Sequence, residues 1–145
     1  MADIVSCATT SREPLIVGQH LRPGTHLDLV GAFTPEMRET DDDAVCRSRV
    51  FVDTMRALKE AGDLLQPIAG GRWDASMICG DLHELTNGLK SGRLSQQEIT
   101  LFKSVGPQPK ILWLRIFLPE KYNGFEKTRD RVLTLMCAFR RGCRL

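Results

Sequence analysis

HLDLVGAFTPEMRETDDD, residues 26–43, is the stretch on which the fold turns. Leu27, Leu29 and Val30 form an apolar run that stops at Gly31 and Ala32 and then breaks into a turn. This reads as a buried strand whose C-terminal end is stripped of bulk so that something can approach the backbone. In a parallel sheet, ligands sit at that end. The same pair also suits tight packing of a strand-to-helix turn, and a lone small-residue pair does not choose between the two.

Before it, ADIVSCA at residues 2–8 is an apolar strand closed by Thr9, Thr10 and Ser11, whose hydroxyls cap turns. A strand this apolar needs neighbours on both sides, so the chain reads as starting in mid-domain, with an exposed edge prone to aggregate. Pro14, Gly18, Pro23 and Gly24 limit the crossover to a turn or short helix around residues 15–21. After it, Glu39, Asp41, Asp42 and Asp43 form an acidic cluster. A solvated helix N-terminus accounts for them better than a metal site, because carboxylates there complement the helix dipole.

RVFVDT, residues 49–54, reads as a third strand. Asp53 or Thr54 then caps a helix over residues 55–61, and Gly62 terminates it in the left-handed conformation. LLQPIAGG, residues 64–71, is loop-like; Leu82, Leu85 and Leu89 mark one face of a helix, with His83 on its polar side. Ser95 and Glu98 have capping-box spacing, but the β-branched and aromatic text that follows makes residues 98–105 a turn and a strand. The alternation of strands and helices is that of an α/β protein with a parallel sheet. About three parallel strands with flanking helices make half of a doubly wound nucleotide-binding domain.

The 145 residues are 42% hydrophobic and 26% charged, which is ordinary globular composition for one domain with a core. No apolar run approaches a membrane span and the start lacks a secretory signal pattern, so the expected compartment is cytoplasmic. Five widely spaced cysteines without a CxxC pair read as buried free thiols rather than a disulfide framework or zinc site. Charge is unevenly spread. Residues 1–106 carry 11 basic and 15 acidic side chains, a net of −4, and residues 107–145 carry 9 and 3, a net of +6. The basic tail has no recognisable nucleic-acid motif, and neither nucleic acid nor a membrane is an expected partner.

With ATTS after the first strand, then HLDLVGAFTPEMRETDD, VFVDT, EAGDL and EITLFKSVG in that order, residues 2–106 resemble the ornithine cyclodeaminase and mu-crystallin family. The resemblance implies a Rossmann-type domain for NAD(P)H, joined in the family to a second domain that holds the substrate pocket and a homodimer interface. It places Thr9, Leu29, Val30, Gly31, Ala32 and Ser104 at the cofactor and Val105 at a small imino or amino acid substrate. The chemistry agrees: small residues leave room for a flat ring, and the Thr9 and Ser104 hydroxyls can bond its amide.

Phe33 departs from the family pattern. It stands where the cyclodeaminases have a proton-handling aspartate, and an aromatic ring cannot exchange a proton. Met37 stands where those enzymes have a cofactor-contacting lysine. The resemblance therefore points to the reductase branch, acting on cyclic imino acids such as pyrroline-2-carboxylate or piperideine-2-carboxylate. Cyclodeamination of ornithine or lysine, alanine dehydrogenation, non-catalytic storage as in mu-crystallin-like proteins, and an inactive truncated product are the alternatives.

No GxGxxG occurs in the sequence, so residues 1–106 read as the second half of such a domain, with no catalytic group and no phosphate-cradling turn. Past Gly106 the resemblance stops at PQP, and 5 of the 9 aromatic residues lie in the last 39. An altered reading frame or mis-splicing would account for this tail. A genuine extension is the alternative, with a strand over residues 111–118 and an amphipathic helix over residues 128–139.

Overall fold

The computed structural model describes residues 2–106 and, as backbone, residues 132–136. Its centre is a parallel sheet. The strands are β1 (Ile4–Ala8), β2 (His26–Leu29), β3 (Ser48–Val52), β4 (Gly80–Asp81), β5 (Ile99–Lys103) and β6 (Val132–Met136), in the spatial order β4-β3-β5-β2-β1-β6. The expected α/β class and parallel sheet are observed. The count of about three strands grows to six: residues 98–105, read as a turn and a strand, supply β5 inside the sheet, while β4, too short to show a period, and β6 form its two edges.

Register explains which residues went inside. Val5, Leu27, Leu101 and Val50 lie side by side across four strands, as do Cys7, Leu29, Lys103 and Val52. Successive side chains of a strand point to opposite faces, so these two rows share one face. Apart from Lys103 it is apolar, and it packs on Ala44, Val45 and Leu64. The opposite face carries Phe51 and Phe102, which meet Leu85. It also carries a polar row in which Ser6 Oγ donates to Asp28 at 2.8 Å and Thr100 Oγ1 lies 2.8 Å from His26 Nδ1.

The helices are short: α1 (Asp42–Cys46), α2 (Ala57–Glu60), α3 (Gly62–Ala69) and α4 (Leu82–Thr86). Asp41 caps α1 by accepting from the Ala44 N–H, with Asp42 and Asp43 in the first turn as expected. The residues 15–21 crossover contains only a single 3₁₀ turn, Gly18–His20. Several local expectations fail for tertiary reasons. Residues 64–71 belong largely to α3 rather than a loop, since Leu64 is fully buried and its burial outweighs the cost of Pro67 within the helix. Gly62 starts α3 instead of ending α2; a Cβ there would meet the Met37 carbonyl oxygen at 2.0 Å, so close approach selects the glycine. The helix expected around Leu82 stops at Thr86, and Leu89 is exposed because Gly88 turns at a φ of +70°. The capping box that forms is Asp81 with Glu84, at the start of this helix.

Of the cysteines in the described residues, Cys7 is buried, Cys46 is exposed and Cys79 is intermediate, so buried thiols hold for one of the three. The expectation of an open β1 edge is also corrected: β1 pairs with β2 on one side and β6 on the other. Residues 132–136, assigned to a helix in the extension reading, form that strand. The expected strand over residues 111–118 lies outside the described residues. No helix of the described residues is long and apolar enough to cross a membrane.

Candidate functional site

The strands run parallel and β5, β2 and β1 are neighbours, so the loops that follow them emerge side by side at one edge. Their pairing continues past the strand ends. Val30 N donates to Cys7 O at 2.8 Å, Ala32 N to Thr9 O at 3.0 Å and Ser104 N to Leu29 O at 2.9 Å. Thr9, Leu29, Val30, Gly31, Ala32, Ser104 and Val105 are thus brought into one surface.

Only part of that surface is accessible. Leu29, Gly31 and Ala32 are buried, Thr9 and Ser104 nearly so, while Val30 and Val105 are half-buried. Gly31 is required by its own neighbours: a Cβ there would sit 2.0 Å from Thr9 O and 2.4 Å from Glu39 Oε1. The bare backbone inferred from the sequence is therefore approached from inside, by Thr9 and Glu39. Ala32 has a φ of +47°, left-handed backbone that costs a residue with a Cβ roughly 1–2 kcal/mol and concentrates at functional positions.

A buried charge cluster lies beneath the loops. Glu39 Oε1 accepts from Thr9 N at 2.6 Å and Oε2 from Gly31 N at 3.1 Å, which ties the first two loops together. Lys103 Nζ donates to Asp63 Oδ2 at 2.9 Å and to the Gly31 carbonyl, and it lies 3.7 Å from Glu39 Oε2; the three side chains have no solvent exposure. Asp63 Oδ1 in turn accepts from the N–H groups of Glu39 and Thr40, at 2.7 and 2.9 Å. Burial raises the Glu39 carboxyl above its usual range, against the opposing pull of Lys103 and the Thr9 N–H. Grouping Glu39 with the solvated aspartates is therefore corrected: it faces the core because the lysine ending β5 needs a counter-ion there.

Asp53 anchors the third loop. Its Oδ2 accepts from Ser104 Oγ at 3.0 Å, Val105 N at 2.9 Å and Gly106 N at 2.8 Å, and its Oδ1 accepts from Thr54 N at 2.7 Å. It does not cap α2, whose first turn has no side-chain cap. Sequence reasoning missed Lys103, Asp63 and this role of Asp53. The one available signal was a lysine ending the apolar strand ITLFK.

The Ser104 hydroxyl donates to Asp53, and Thr9 Oγ1 accepts from Ser11 N at 3.4 Å. Each hydroxyl oxygen has two lone pairs, so both retain capacity to accept from a donor such as a carboxamide NH₂. Burial, reinforced by Glu39, Asp63 and Asp28, pushes the Cys7 thiol up to about 12, so it stays protonated and is a poor nucleophile. Phe33 is 47% exposed at the rim, and Met37 is partly buried. Among the described residues no cluster of three or more His, Cys, Asp or Glu side chains could hold a metal ion. A recess of about 420 Å³ lined by Arg47, Arg49 and Glu98 opens at the N-terminal ends of β3 and β5, away from these loops.

The span that holds these loops is similar to known proteins. The chain is 53% identical over 106 residues to Protein SAR DEFICIENT 4 of Arabidopsis thaliana, covering 73% of this chain and 33% of that protein. It is 47% identical to the Delta(1)-pyrroline-2-carboxylate reductase of Paracoccus denitrificans, over 72% of this chain and 34% of the reductase. The solved structure of Thermococcus litoralis Delta(1)-pyrroline-2-carboxylate reductase in complex with NADH and L-proline superposes with a TM-score of 0.69 at 42% identity, covering 71% of this chain and 32% of that one. The chain thus spans about a third of the length of the relatives it matches. Residues 1–109 match the model of the ornithine cyclodeaminase/mu-crystallin family, and the chain belongs to that family.

Proposed function

We propose that residues 1–106 form the nicotinamide-side half of an NAD(P)H-dependent reductase of cyclic imino acids, of the pyrroline-2-carboxylate or piperideine-2-carboxylate kind. The observation that carries this reading is the convergence of the β1, β2 and β5 loops into one surface ending in Val30 and Val105, with Phe33 at its rim. The reductases of Paracoccus and Thermococcus support it, the second in complex with NADH and L-proline.

In this reading the cofactor, when bound, supplies a hydride to the imine carbon. Val30 gives an apolar wall for the nicotinamide and Val105 one for the substrate, and both exclude water. Leu29, Gly31 and Ala32 shape the shelf with backbone. Thr9 and Ser104 turn oxygen lone pairs toward the carboxamide. Phe33 carries no proton, so position 33 offers no acid for deamination. The pyrophosphate needs a glycine-rich turn that the sequence lacks, and groups for the substrate carboxylate belong to the rest of a complete enzyme. That enzyme works as a homodimer in this reading, and residues 107–145 are an atypical tail whose residues 132–136 join the sheet of the 1–106 domain.

The test is a chimera in which residues 1–106 replace the matching third of the Paracoccus reductase. Oxidation of NADH or NADPH dependent on pyrroline-2-carboxylate is the expected result, with no ammonia released from ornithine. A folded chimera that releases ammonia, or binds cofactor without turnover, overturns the proposal.

A further inference from the structure

At the other end of the sheet from the shelf, the recess where β3 and β5 begin takes no part in the proposed reduction. It holds about 420 Å³ and is lined by Cys46, Arg47, Ser48, Arg49, Gln97 and Glu98 among others. That volume is within the range of small-molecule pockets. Ser48 and Ile99 stand side by side on the first rung of the β3–β5 ladder, and Val52 and Lys103 on the last. At about 3.3 Å per residue, the recess lies roughly 15 Å from the loops that follow those strands. A small ligand seated there would touch neither the nicotinamide nor the imine.

Charge sets the recess apart. Residues 1–106 carry a net of −4, yet this lining has the guanidiniums of Arg47 and Arg49 against the single carboxylate of Glu98. Both guanidiniums are held in place with donors to spare. Arg47 donates to the carbonyl of Gly18 and to that of Leu21 at 3.3 Å. Arg49 donates to the Ser91 carbonyl at 3.3 Å, and its Cζ lies 5.5 Å from the centre of the Phe51 ring. A guanidinium has five N–H donors, so most of them are left over. One of these is Arg49 Nε, which is buried and makes no hydrogen bond among the described residues. Glu98 Oε2 stops 3.8 Å short of it and accepts instead from the Leu94 N–H at 2.7 Å. A buried donor left without an acceptor is destabilising, and an oxyanion in the recess would supply one.

We propose that this recess is a second ligand site, separate from the shelf, in which Arg47 and Arg49 hold the carboxylate or phosphate of a small molecule. Arginine suits that task because its planar fork bonds two oxygens of one oxyanion at once. The assignment does not depend on how the shelf is read, so an inactive chimera leaves it standing.

Cys46 is exposed on the recess wall, so its alkylation by neutral iodoacetamide reports occupancy, read peptide by peptide in a mass spectrometer. The 145-residue chain is titrated with inorganic phosphate and, separately, with succinate, against chloride at equal ionic strength. Saturable slowing of Cys46 alkylation is expected, about threefold at twice the dissociation constant and complete within about 10 mM, while Cys79 reacts unchanged. Arg49→Gln should abolish the protection, and Arg56→Gln, at an exposed residue paired with Glu60, should keep it. Protection by phosphate alone assigns a phosphate ester, by succinate alone a carboxylate, and by both an oxyanion of either kind. Protection by neither, equal protection by chloride, or protection that survives Arg49→Gln overturns the proposal. If Arg49→Gln unfolds, amide shifts of the wild-type chain decide the matter. Phosphate or succinate should move residues 46–49 and 97–99 where chloride does not; absent shifts, or shifts confined to residues 29–32 and 104–105, overturn it.

Discussion

Two carboxylates hold the loops of the candidate site, and they do so differently. Glu39 accepts the N–H groups of Thr9 and Gly31 and faces a buried lysine. Asp53 accepts three backbone N–H groups and the Ser104 hydroxyl and has no cation within salt-bridge distance among the described residues. Four donors satisfy the lone pairs of a carboxylate directly. Glu39 has fewer donors and lies deeper, and Asp63 adds a second negative charge, so Lys103 is needed to keep both acids in the core. The first arrangement locks β1, β2 and β5 to one another. The second shapes only the turn after β5.

Removing the cation tests this contrast most severely. Lys103→Met leaves two acids buried without a counter-charge and should cost about 3–5 kcal/mol in urea unfolding. Adding Glu39→Gln should recover part of the loss; a second full penalty would show that the two side chains are uncoupled. Gly31→Ala comes next. Its methyl would overlap the Thr9 backbone, and a loss of about 3 kcal/mol is expected from calorimetry. On the other anchor, Asp53→Asn turns an N–H₂ or a single oxygen toward three donors. A loss of about 1–3 kcal/mol is expected, with faster amide exchange confined to residues 104–106. Exchange spreading into β1 would erase the distinction between the anchors.

The opposite face of the sheet supplies a pH test. Thr100 Oγ1 accepts from Arg93 Nη2 at 2.9 Å and lies 2.8 Å from His26 Nδ1, so the imidazole sits in a buried site beside a cation. Burial, followed by the charge of Arg93, lowers the His26 pKa from 6.5 to about 3. Unfolded chain therefore binds more protons between those values. The stability from neutral His26 is fully present above pH 6.5 and is lost as pH falls toward 3, at up to about 1.4 kcal/mol per pH unit. His26→Gln should flatten that slope, measured as urea midpoints at pH 4 to 7. The smallest effect belongs to Phe33→Asp: at 47% exposure it should shift stability by no more than about 0.5 kcal/mol. A larger loss would mean that Phe33 packs as part of the shelf.

The strand ends that converge at the candidate site were readable because their signals are local. Apolar runs ending in small or hydroxylated residues mark Thr9, Gly31 and Ser104, and the order of five segments marks the family. Boundaries and helices were read less well: α3 was taken for a loop and Gly62 for a terminator. Pro67 and Gly62 speak for themselves along the chain, while the Leu64 burial and the Met37 carbonyl that override them come from elsewhere in it.

From the chain alone, then, came the α/β class, the parallel order and the family resemblance, all properties of short spacings and side-chain chemistry. Only the tertiary structure decided that Glu39 is buried, that Asp53 anchors a loop, that Lys103 and Asp63 belong to the site, and that residues 132–136 close the sheet. Each of those depends on partners 24 or more residues apart, such as Glu39 with Asp63, and on whether burial makes a charge seek a counter-charge or an edge seek a strand.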